Sequence, residues 1–158
     1  MLNAFAIIFH LIAINIWVGG MFFIVMVLGK VVSTLEVPEQ QAFWQNILKR
    51  FFFWVWLALI GLLVTGIGMI FYRFGGLANA PLYILLMAGF GISMGMLFFV
   101  IYFVFYRKFL RDVKVGNVAA SLHQLRIIRR LGILNMVLGF CVVIVIGGGP
   151  YLVSLVQG

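Results

Sequence analysis

Apolar residues fill this chain in four long runs, at about residues 4–29, 51–72, 81–106 and 131–155, and the charged positions fall between them. Each run exceeds the roughly 20 residues that carry a helix across a bilayer core. The runs are continuous and do not alternate polar with apolar, so they predict helices and not the strands of a barrel. No basic residue precedes the first run and no small-x-small cleavage site follows it, so it reads as a transmembrane helix and not a signal peptide. The pattern predicts an all-α integral membrane four-helix bundle of up-down topology, one domain over residues 1–158.

The connections carry their own patterns. Residues 38–46 can start a short interfacial helix that runs into the second span, with Trp44 as anchor and Trp54 and Trp56 just inside. Residues 73–80 are few, so spans two and three form an antiparallel hairpin. Residues 118–130 read as an amphipathic helix continuous with the last span. Val118, Leu122, Leu125 and Ile128 take one face, and His123, Arg126 and Arg130 take another. Small residues recur where helices would approach closely: Gly19 and Gly20; Gly61, Thr65 and Gly68; Gly91 and Gly95; Gly132, Asn135 and Gly139. Gly147, Gly148, Gly149 and Pro150 are expected to break or distort the last helix.

Composition agrees with the pattern. Hydrophobic residues make up 66% of the 158 positions and charged residues 9%, against about 25% charged in a soluble domain. The net charge of +8 would suggest nucleic acid, but its placement argues for lipid. Lys30, Lys49 and Arg50 flank the first connection; Arg107, Lys108, Arg111, Lys114, Arg126, Arg129 and Arg130 flank the third; Arg73 stands alone in the second. The positive-inside rule then puts connections 30–50 and 107–130 in the cytoplasm and both termini on the outer, periplasmic side. The basic residues are expected to hold lipid phosphates and no nucleic acid.

No Asp, Glu, Lys or Arg lies within the four runs. Proton-coupled transport, which uses intramembrane carboxylates, is disfavoured, and so is hydrolysis. Cys141 is the only cysteine and reads as a small buried core residue.

His10 is the one histidine within a span. It lies about 9 Å into the first helix at 1.5 Å per residue. Trp17 at i+7 and Gly20 at i+10 are expected on its face, a stripe suited to a flat ligand. Met69 and Met87 are expected at the same depth, and His/Met pairs serve both haem and copper(I). Met94 and Met96 lie deeper. The plain alternative is a histidine bonded to a neighbouring helix, with Trp17 as packing. His123 lies at the other end of the membrane, so two imidazoles could meet only as two His10 side chains across a symmetric dimer.

The run from His10 through Trp17, Gly19 and Gly20 to Phe23 resembles the His…Trp-x-Gly-Gly opening of CopD-type copper-resistance membrane proteins. It also resembles the related HemJ-type protoporphyrinogen oxidases, small four-helix proteins with an early membrane histidine. Arg126, Arg129 and Arg130, leading into Leu131, Gly132 and Ile133, are similar to the start of the last CopD helix. The resemblance implies a multi-pass protein of the bacterial inner membrane with His10 in the place of the family histidine. On the HemJ side it implies b-type haem on His10, although no lysine occurs in residues 81–106 where that branch carries one. On the CopD side it implies copper uptake or handling.

Three functions are expected. The first is a haem-b protein of membrane electron transfer, with His10 as axial ligand, Met69, Met87 or a second His10 opposite, and quinone or a membrane protein as redox partner; if an enzyme, it is a membrane oxidoreductase. The second is a copper(I) carrier, for which His10, Met87, Met94 and Cys141 make only a broken ladder of ligands. The third is a structural subunit of a larger membrane complex, or a homodimer.

Overall fold

The computed structural model describes residues 2–157, with side chains described for residues 4–148. Four long helices succeed one another up and down: α1 (Ala4–Val32), α2 (Val37–Phe74), α3 (Leu82–Lys114) and α4 (Val118–Gln157). No strand occurs among the described residues. All four are long and apolar enough to cross a membrane, as the runs predict.

The helix ends show why the chain turns where it does. α2 opens with Pro38 in its first turn, where a missing N–H costs nothing. It closes on Gly75, whose φ of 69° is left-handed and whose N–H bonds the Phe71 carbonyl at 3.0 Å. α3 ends before Gly116 at φ 72°. Asn117 then caps α4, its Oδ1 accepting the Ala120 N–H at 3.1 Å.

Three of the helices run past the apolar segments. α2 has 38 residues, about 57 Å at the standard rise, against a hydrocarbon core of about 30 Å. The interfacial helix at 38–46 is therefore the first part of α2, and the amphipathic segment 118–130 is the first part of α4. Ile128 is buried and Leu122 and Leu125 are half-buried while His123, Arg126 and Arg130 are exposed, the division of faces that the pattern predicts except at Val118, which is exposed at the helix start. At this end Gln41 of α2 donates to the fully buried Ser121 of α4 at 2.5 Å.

Helix assignment continues unbroken through Gly147–Gly149 and Pro150 to Gln157, so the expected break is corrected. Proline forfeits one backbone hydrogen bond, and lipid supplies no competing partner that would unravel the turn.

α1 packs between α2 and α4, and α3 lies along α4. Glycine permits the closest approaches. A Cβ on Gly139 would fall 2.5 Å from Val18 Cγ2, and one on Gly132 would fall 3.1 Å from the Met21 sulfur. Between α2 and α3 the filling is aromatic. Phe98, with no exposure, meets Trp17 at 5.8 Å, Phe52 at 5.7 Å and Trp56 at 5.3 Å between ring centroids, all edge to face. Trp44 and Trp56 both pack against this core while Trp54 is exposed. Of the three expected interfacial tryptophans, only Trp54 turns outward, because the other two share the inward stripe of α2.

Gly139→Ala is expected to lower bundle stability by about 1–3 kcal/mol through overpacking against Val18. Gly89→Ala, where an added Cβ meets nothing within 4 Å, is expected to be neutral. Unfolding midpoints in the same detergent compare the two.

Candidate functional site

His10 sits where α1 crosses α2. Its Nδ1 lies 2.8 Å from the Thr65 hydroxyl oxygen. That hydroxyl has a single hydrogen, and it is directed at the Gly61 carbonyl at 2.6 Å. With the hydrogen there, Thr65 accepts from the ring and Nδ1 carries the proton. The neutral imidazole then holds its lone pair on Nε2. Nε2 has no hydrogen-bond partner among the described residues and is not sealed from the cavities around it. Gly66 makes room for the ring: a Cβ there would stand 3.3 Å from His10 Cε1.

Three cavities share His10 and Met87 as wall residues. One, of about 240 Å³, is otherwise apolar and adds Trp17, Met94 and Gly66. A second, of about 260 Å³, adds Met69, Tyr83 and Arg73. The third, of about 600 Å³, lies along α1 and α4 and adds Asn15, Gly19 and Phe140. None has a carboxylate in its lining. The equal depth expected of His10, Met69 and Met87 is therefore matched by shared walls.

Trp17 is 2% exposed, and its indole N–H has no partner. It takes its place in the wall, as expected. Gly20 does not. A Cβ on Gly20 would fall 2.6 Å from Phe51, so it faces α2 and lines none of these cavities. Position i+10 already lies about 80° round a regular helix. The π-helical turn at Asn15–Gly19 rotates the later residues of α1 further away.

Other residues were harder to anticipate. Met94 is 1% exposed and Met96 is 65% exposed, so only the first reaches the cavity. Thr65 counted as a packing residue, and Gly66 carried no signal beyond being small. Met21 and Met136 pack together deeper in the bundle. Asn135 is 1% exposed with neither amide atom bonded. Cys141 lines none of the three cavities, so it adds no rung to a ladder. His123 is exposed on the basic part of α4. No group of three or more His, Cys, Asp or Glu that could hold a metal occurs among the described residues.

A family model described as Copper resistance protein D matches residues 45–148. The chain belongs to the CopD family. The CopD match covers most of α2, all of α3 and the larger part of α4, and it leaves out α1 with His10. Membership makes this a multi-pass membrane protein related to copper resistance. No curated protein and no solved structure matches.

Thr65→Val keeps the shape of this CopD-family site and removes the acceptor. It is expected to cost about 1–3 kcal/mol by leaving the Nδ1–H unpaired. Thr34→Val, whose exposed hydroxyl bonds only its own turn, is expected to have little effect on the unfolding midpoint.

Proposed function

We propose that this chain binds copper(I) at His10 and hands it on within the membrane. The observation that carries the reading is the His10–Thr65–Gly61 hydrogen-bond chain. It spends the Nδ1 proton on α2 and leaves the Nε2 lone pair beside apolar cavities whose walls include the thioethers of Met69, Met87 and Met94. A metal-binding histidine is oriented in this way by a partner on its other nitrogen. Imidazole and thioether sulfur suit the soft monovalent ion. Walls without carboxylates leave hard divalent cations without their oxygen ligands. Met87 shares all three cavities with His10, Met69 stands on the Arg73 side, and Met94 stands toward the bundle centre. The ring faces α2 through Thr65 and borders all three cavities, each of which places at least one methionine of the same chain beside it. Copper is cargo in this reading, and the apolar walls keep water from it.

A second reading, haem b with His10 as axial ligand and Met69 or Met87 opposite, is favoured by one observation. Arg73 lines the same cavity as His10, Met69 and Met87, and a guanidinium there suits a ligand carboxylate. The haem would supply one-electron chemistry, with quinone or a membrane protein as partner. The family resemblance implies the bacterial inner membrane, and the positive-inside rule would put the basic end in the cytoplasm.

Competition titration of the detergent-purified protein against a copper(I) chelator tests the first reading. Wild type is expected to take up copper(I) and His10→Ala to lose it. Thr65→Val is expected to weaken binding about 10–100-fold, the usual effect of removing the partner that orients a ligand histidine. Equal uptake by wild type and His10→Ala would overturn the site. A Soret band that shifts on reduction and is absent from His10→Ala would replace copper with haem.

A further inference from the structure

A separate cavity of about 360 Å³ lies at the basic end of the bundle. Trp44, Phe51 and Phe52 line its apolar part, and Ser33, Arg126 and Arg129 line its polar part. Both arginines are exposed on the first turns of α4. The only ion pair among the described residues joins Arg111 to Asp112 at 3.5 Å, so neither cavity arginine has a carboxylate partner there. The guanidinium of Arg129 is held in the seam between α4 and α1: a Cβ on Gly29 would stand 3.2 Å from its Cζ.

We infer that this cavity binds an anionic phospholipid, with the phosphate on Arg126 and Arg129 and hydrocarbon against the aromatic wall. Two guanidiniums side by side repel a metal cation, which separates this cavity from the one at His10. Guanidinium forks match phosphate oxygens in pairs. Basic pockets between transmembrane helices hold acidic headgroups in this manner. The apolar part has no use for a soluble anion and suits a lipid tail.

Native mass spectrometry of the full chain in detergent, with added phosphatidylglycerol or phosphatidylcholine, tests the site. Wild type is expected to retain phosphatidylglycerol in preference. Arg126→Gln with Arg129→Gln is expected to weaken that retention roughly thirty-fold, at about one interaction step per arginine. Lys108→Gln with Lys114→Gln removes the same charge from exposed positions outside the cavity and is expected to retain the lipid. Leu122→Trp keeps both arginines and fills the cavity from its wall, and it is expected to release the lipid as well. Three results would each overturn the inference. They are equal losses in the two charge pairs, wild-type retention by Leu122→Trp, and displacement of the lipid by inorganic phosphate alone.

Discussion

Hydrocarbon offers an imidazole no hydrogen bond, so a histidine in the first span must be satisfied from a neighbouring helix. Thr65 does this, and the consequences reach beyond one contact. The bond ties α1 to α2 at a single register. Because the threonine hydrogen is already committed to the Gly61 carbonyl, it also selects the tautomer of the ring. The ring is thereby held in one orientation, which the proposed copper(I) site requires. Gly66 fits the same contact: a Cβ there would stand 3.3 Å from His10 Cε1 and press on the ring.

The bundle is divided by an aromatic layer. Trp17 faces the His10 cavity and Phe52 faces the arginine cavity, and both rings meet Phe98 between them. On one side His10, methionines and hydrocarbon line the walls, with Arg73 in one of the cavities; on the other Arg126, Arg129 and aromatic carbon do, with Met21 among them. Movement of cargo from one side to the other would need the Phe98 cluster to rearrange, since its rings fill the space.

Much of this arrangement was legible from residue order, and the reason is geometric. Rise per residue is constant, so depth is countable: His10, Met69 and Met87 fall at one level and share a wall. Face is less secure. Gly20 at i+10 already stands about 80° from the His10 stripe, and a π turn that nothing in the local sequence marks carries it further. Met94 and Met96 differ by two positions and point opposite ways, a distinction that depends on how α3 is rotated against α4. Trp44 and Trp56 read as belt residues by type, yet packing turned them inward. The CopD membership rests on the three later helices, whereas the resemblance read from the chain began with the first.

The amino-acid order alone determined four spans, their alternation, the single basic end and the level of the one imidazole within a span, because each follows from composition and a fixed helical rise. Only the folded bundle decided which nitrogen of His10 is free, which methionines share its cavities and where two arginines border an apolar hollow. Those outcomes depend on rotation and register between helices, and these are set by side-chain fit across interfaces that no single segment encodes.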